Sequence, residues 1–218
     1  MTQDIQKQIT NAVMRSGRKD GDVSLIAVSK QQPDDRIETA LTTGFRIFGE
    51  NRVQEAQARW QHRRPHYPDL RLHLIGPLQS NKASDAVALF DVIHTVDREK
   101  IASKLSHEMT VKGRALPCYI QVNTGDEPQK AGISPAELEA FFSFTVQDLG
   151  LNIIGLMCIP PIDEEPAMHF GLLASYASRL GLPRLSMGMS SDFETAISFG
   201  ATDIRLGSAL FGERLPRR

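Results

Sequence analysis

Lys30 stands just past Leu25-Ile26-Ala27-Val28, an apolar run short enough for a buried strand, with Ser29 between them. An amine delivered to the rim of a folded core is either a solvated charge or a nucleophile that captures carbonyl groups. Two later stretches have a different chemistry. Ser186-Met187-Gly188-Met189-Ser190-Ser191 and Gly207-Ser208 are small, rich in Gly and Ser, and sit immediately ahead of helical segments. Free backbone N–H groups and hydroxyls at such places can cradle an anion beside the positive end of a helix. The same residues also make ordinary tight turns with serine caps. Arg205, two residues before Gly207, has two readings as well: an ion pair holding a rim together, or a donor facing a bound ring.

The elements that must position these residues alternate along the chain. Ile5, Ile9, Val13 and Met14 recur at helical spacing over 5–15. The strand over 23–28 follows, and Pro33-Asp34-Asp35 opens a helix that Gly44 closes. The same strand-then-helix unit recurs with strands over 45–48, 70–75, 92–96, 117–122, 153–159, 184–186 and 203–206. The helices between and after them fall over 53–60, 82–89, 98–111, 135–149, 166–180, 193–199 and 208–214. Strict alternation implies parallel strands joined by right-handed crossovers. Eight such units predict an α/β fold, a single (β/α)8 TIM-type barrel over residues 1–218 with an extra N-terminal helix. An open doubly wound sheet is the alternative. In either, chemistry belongs at the carboxyl ends of the strands.

That rule gathers Lys30, Glu50-Asn51, Gln79 to Lys82, Asn123, Met157, Ser186 to Ser190, Arg205 and Gly207-Ser208 on one rim. In such barrels a phosphate site commonly forms from the loops after strands seven and eight. A lysine opposite a phosphate cradle suits an aldehyde phosphate, with a Schiff-base amine at one end and an anion socket at the other. Pyridoxal phosphate fits that description. An Arg205 guanidinium at the pyridine nitrogen would donate a hydrogen bond and never accept the ring's proton, which leaves a weaker electron sink and disfavours demanding carbanion chemistry.

Composition narrows the field further. Lys plus Arg number 25 and Asp plus Glu 26, a formal net charge of -1, so no bulk field favours nucleic acid or an anionic membrane. The N-terminus has no apolar core of signal-peptide length and no apolar run is long enough to span a bilayer, which predicts a cytoplasmic protein. Cys118 and Cys158 lie in apolar segments outside any Cys-x-x-Cys spacing and are expected to be reduced core residues. His107-Glu108 has Val111 where a zinc-binding helix needs its second histidine, so no metal site is expected. Neither a dinucleotide glycine fingerprint nor a phosphate-loop motif is present. His73 and His94 are expected as satisfied core residues within strands. Arg63-Arg64 and Arg217-Arg218 are expected as solvated basic clusters.

Seven ordered blocks carry a resemblance. Ala27 to Lys30, Phe48-Gly49-Glu50-Asn51 with Gln54-Glu55, and His73 to Lys82 closely resemble the pyridoxal phosphate homeostasis protein family. So do Ile120 to Asn123, Gly155-Leu156-Met157, Leu185 to Ser190 with Asp192, and Arg205 to Gly212. The resemblance runs from Val23 to Arg214 and implies a barrel like the N-terminal domain of alanine racemase with pyridoxal phosphate on Lys30. It further implies Arg205 near the pyridine nitrogen, Ser186, Gly207 and Ser208 around the phosphate, and Asn51 and Met157 along the ring. Arg52 stands where the family usually has Tyr, and Pro77 fills a variable position. The implied role is to hold and transfer the cofactor, with no assigned catalytic residue. Cofactor-dependent apoenzymes are the candidate recipients, and a monomer is expected, with a dimer as the alternative. A racemase is the competing function. It needs two opposed bases, and Tyr67, Tyr119 and Tyr176 fall by pattern in a loop, a strand interior and a helix. Lys82 is either a second transient cofactor site or a first-turn helix lysine.

Overall fold

The computed structural model describes residues 2–212. Eight short strands alternate with helices and close on themselves as β1-β2-β3-β4-β5-β6-β7-β8, every neighbouring pair parallel. They are β1 (Ser24–Val28), β2 (Ile47–Glu50), β3 (Arg71–Leu74), β4 (Val92–Val96), β5 (Cys118–Gln121), β6 (Ile153–Met157), β7 (Arg184–Ser186) and β8 (Asp203–Leu206). The helices are α1 (Thr2–Arg15), α2 (Asp34–Thr42), α3 (Val53–Trp60), α4 (Ala83–Leu89), α5 (Glu99–Lys112), α6 (Leu138–Ser143), α7 (Pro166–Arg179), α8 (Phe193–Ser198) and α9 (Ser208–Phe211). The expected (β/α)8 barrel is therefore what forms, and the open sheet is not. Among the described residues, no helix is long and apolar enough to cross a membrane.

The main apolar core lies between the strands and the ring of helices. Phe48, Trp60, Leu72, Leu74, Phe90, Ile93, Ile120, Leu156, Phe170 and Ile204 are all fully buried there. The extra helix α1 joins it through Ile5, Ile9, Ala12 and Val13 and packs against α8 and α9. Met14, expected on its buried face, points outward, because Ala12 and Val13 complete the stripe.

Boundaries differ where tertiary contacts override pattern. The second strand starts at Ile47 rather than Phe45, since the Phe45 N–H caps α2 at the Ala40 carbonyl, 3.0 Å away. It runs on through Gly49 and Glu50, which pair with His73 and Leu74 of β3. The helix expected over 135–149 is two pieces, α6 and a π-helical turn over Phe144–Asp148. The helix expected over 82–89 opens with a 3-10 turn, Ser80–Lys82. Of the last helix, residues 213 and 214 lie outside the described residues, as does the Arg217-Arg218 cluster. Arg63 and Arg64 are not a solvated patch. Arg63 is buried against Glu38 at 2.6 Å and Arg64 reaches the Leu89 carbonyl at 2.9 Å, so both staple the barrel's outer layer. Cys118 and Cys158 are buried free thiols, as expected, and desolvation pushes both up to about 12.

Candidate cofactor site

Lys30 sits in the turn after β1, and that turn is strained and clamped. Gln31 holds φ at 59°, a left-handed conformation that a non-glycine residue keeps only where its surroundings enforce it. The enforcement comes from β2 and α3. The Arg59 guanidinium donates to the carbonyls of Ser29 (2.7 Å) and Gln32 (3.1 Å), one on each side of Lys30. Arg59 in turn is paired with Glu50 at 2.9 Å. Glu50 is fully buried, and the same Oε1 also accepts from the Ser29 hydroxyl (2.7 Å) and the Trp60 indole (2.9 Å). Its Oε2 is buried with no hydrogen-bond partner among the described residues.

A cavity of about 690 Å³ opens beside this turn, lined by Lys30, Asn51, Arg52, Gln79, Lys82 and Arg98 among others. Asn51 is held there by close backbone contact, because a Cβ at Gly76 would lie 2.4 Å from the Asn51 carbonyl oxygen. Lys82 closes the 3-10 turn and lies 3.7 Å from Asp85, and Arg52 pairs with Glu55 at 3.2 Å. Asn123 lines up otherwise: its side chain bonds the Glu127 backbone and shapes its own loop.

The remaining predicted residues lie in or beside the barrel interior. Met157, Ser186 and Arg205 are buried, at the end of β6, the end of β7 and the third position of β8. Arg205 donates to the Ser186 hydroxyl at 2.7 Å and to the Cys158 carbonyl at 2.9 Å, two neutral partners. A buried cation whose hydrogen bonds go to neutral acceptors, with the Asp192 and Asp203 charges acting on it electrostatically, still favours an electron-rich acceptor, which fits the pyridine nitrogen of the expected cofactor. The Ser186 hydroxyl faces Arg205 and His94 instead of the outer loops. Ser208 is exposed at the start of α9, and the loops after β7 and β8 are tied together by the Ala209 N–H donating to Ser190 Oγ at 3.2 Å. Gly207 lies against Val28 at the end of β1, which brings this loop pair toward the Lys30 turn.

Pattern reading missed how polar the lumen is. His94 of β4 meets Ser186 of β7, and Tyr119 of β5 meets Asp203 of β8. Neither strand pair is adjacent, so both contacts cross the barrel interior. Tyr119 donates to Asp203 at 2.7 Å, Arg184 pairs with the same carboxylate at 2.7 Å, and the Tyr119 ring stacks on His94 with centroids 4.2 Å apart. Burial and the Asp203 charge raise the Tyr119 hydroxyl's pKa, so this tyrosine holds its proton. The signal was present in the sequence as polar residues at alternate strand positions, but apolar flanks masked it.

A profile of the family described as "Alanine racemase, N-terminal domain" matches residues 3–215. The barrel, with its lysine after β1, thus belongs to the class of alanine racemase N-terminal-like barrels. Similarity is much closer to pyridoxal phosphate homeostasis proteins. That of Vibrio cholerae is 42% identical over 220 residues, covering 96% of this chain and 93% of the relative. That of Escherichia coli is 36% identical over 219 residues, covering 96% and 94%. The solved structure of PipY from Synechococcus elongatus with PLP bound is similar with a TM-score of 0.82 at 40% identity, covering 95% of this chain and all of that one (100%). The chain belongs to the pyridoxal phosphate homeostasis protein family. An alanine racemase of Clostridium difficile shares the fold alone, with a TM-score of 0.71 at 13% identity.

Proposed function

We propose that this protein binds pyridoxal 5'-phosphate through a Schiff base on Lys30 and holds and hands over the cofactor, as a component of cofactor homeostasis. The observation that carries this reading is the Lys30 turn, clamped by Arg59 at the edge of a cavity that Asn51 also lines; Arg205 is held separately, in the barrel interior, by neutral partners. Lys30 is the residue that would hold the cofactor at its aldehyde end, as an amine placed by the clamped turn. When bound, the cofactor supplies an electron sink; Arg205 donates to its ring nitrogen and keeps that sink weak. The loop N–H groups and hydroxyls around Gly207 and Ser208 take the phosphate, and Asn51 and Met157 border the ring. Ser186 contributes by bracing Arg205. The similarity to the homeostasis proteins and to the PLP-bound PipY structure supports the ligand.

Holding is favoured over racemisation because none of the three tyrosines lines the Lys30 cavity to serve as the opposing base. Tyr119 is tied to Asp203, Tyr176 lies on α7, and Tyr67 packs under Arg46 with its ring 5.0 Å from the guanidinium. The protein works, on this proposal, as one barrel domain in the cytoplasm, as a monomer, with cofactor-dependent apoenzymes as recipients. The test is the absorption spectrum of the purified protein with added cofactor, then borohydride reduction and peptide mass mapping. A reduced adduct on Lys30, lost in Lys30→Ala, is expected; no chromophore, or an adduct on another lysine such as Lys82, overturns the proposal. Turnover of D- and L-amino acids abolished by Lys30→Ala would instead establish the racemase.

A further inference from the structure

Arg205 is one end of a buried chain that crosses the lumen. Its guanidinium donates to Ser186 Oγ (2.7 Å), Ser186 Oγ meets His94 Nδ1 (2.9 Å), and His94 Nε2 meets His73 Nδ1 (3.0 Å). Every member is buried. The direction of the chain follows from its ends. Arginine has donors only, so Ser186 Oγ must accept from it. The Ser186 hydroxyl then needs an acceptor of its own, and the reverse arrangement, with His94 donating to Ser186, would leave two buried groups unpaired, the Ser186 hydroxyl hydrogen and the His73 Nε2 lone pair, against the single His73 N–H left by the forward one. Ser186 therefore donates to His94 Nδ1. A neutral His94 then carries its proton on Nε2 and donates it to His73 Nδ1, which leaves the His73 proton on Nε2. That atom is buried with no partner among the described residues. Burial holds both rings neutral at ordinary pH, His73 down to about 4 and His94 well below the usual value, so no second cation competes with Arg205.

A chain whose hydrogen bonds all run one way is cooperative, because a hydroxyl that donates becomes a better acceptor. His94 thereby tightens the grip of Ser186 on Arg205. Tyr119, stacked on His94, keeps the imidazole from turning. We infer that His94 is a positioning residue: through Ser186 it fixes the Arg205 guanidinium in the orientation that meets the cofactor's ring nitrogen. This rests on the proposed cofactor site and extends it to a residue that touches no ligand.

Three measurements test it. In the wild-type protein, 15N NMR of the imidazoles should find His94 and His73 each protonated on Nε2; a proton on His94 Nδ1 overturns the chain. Loaded with 15N-labelled pyridoxal phosphate, His94→Phe should shift the ring-nitrogen signal in the direction seen for Arg205→Lys and shorten cofactor retention about tenfold, the order of one intramolecular hydrogen bond, here that between Ser186 and His94. His94→Asn, whose amide oxygen can stand where Nδ1 stood, should restore retention to within about twofold of wild type. An unchanged ring-nitrogen signal in His94→Phe, or equal losses in the Phe and Asn variants, overturns the positioning role. If wild-type protein takes up no cofactor on Lys30, the proposed function fails instead, and the tautomer measurement still judges the chain by itself. The same holds should His94→Phe not fold.

Discussion

Replacing Arg59 with alanine removes the clamp on the Lys30 turn and strips the counter-ion from a carboxylate that cannot reach water. Glu50 is fully buried, while the Arg59 side chain is 16% exposed. Breaking one side of a buried ion pair costs about 3–5 kcal/mol, because the remaining charge is left desolvated. Partial exposure of Arg59 argues for the lower end, about 3 kcal/mol, a large part of a typical total stability of about 5–15 kcal/mol. Glu50→Gln should cost less, about 1–3 kcal/mol: an amide oxygen still accepts from Ser29 and Trp60, and the guanidinium keeps Asp34 at 4.0 Å, its two carbonyl acceptors and some solvent. The double variant Glu50→Gln/Arg59→Ala should be more stable than the sum of the two single losses predicts, by roughly 0.5–3 kcal/mol. Urea unfolding followed by Trp60 fluorescence reads this directly, because the chain's single tryptophan donates its indole N–H to Glu50. Cofactor retention should fall alongside, as Ser29 and Gln32 lose the bonds that hold Gln31 in its left-handed conformation. The reasoning is refuted if Arg59→Ala costs under about 1 kcal/mol, the range of exposed ion pairs, and retention is unchanged.

Gly76→Ala should displace Asn51, since the new methyl would lie 2.4 Å from its backbone carbonyl oxygen. The expected cost is about 1–3 kcal/mol with weakened cofactor binding, checked by denaturation and by titration with pyridoxal phosphate. Stability should fall on acidification between pH 6.5 and about 4. In that window the unfolded chain protonates His73 and His94 while the fold, which desolvates them, does not. The slope is up to about 1.4 kcal/mol per pH unit per histidine. His73→Gln should flatten it in thermal melts recorded across that range, and a slope identical to wild type would count against neutral burial.

The architecture was legible because strand and helix periods alternate cleanly. Val53–Trp60, Val92–Val96, Arg184–Ser186 and Asp203–Leu206 follow from local apolar spacing and breakers such as Pro and Gly. Once parallel closure is granted, the rim positions of Lys30, Asn51 and Gly207-Ser208 follow as well. Residue types at strand ends also indicated an amine, a guanidinium and a Gly- and Ser-rich turn, which depend on kind and order. What the sequence could not carry is which polar side chains meet across the lumen. By pattern Glu50 stands out only as a rim residue after the second strand, Arg59 does not stand out within its helix, Arg63 reads as part of a solvated cluster and His94 as a satisfied core histidine. Their roles depend on contacts between residues from 9 to 92 positions apart and on burial that only closure of the barrel creates. Within that enclosed space an unpaired charge or hydroxyl is costly, so the tertiary structure decides that Glu50 grips Arg59, that Ser186 turns to His94, and that Arg205 is held in place.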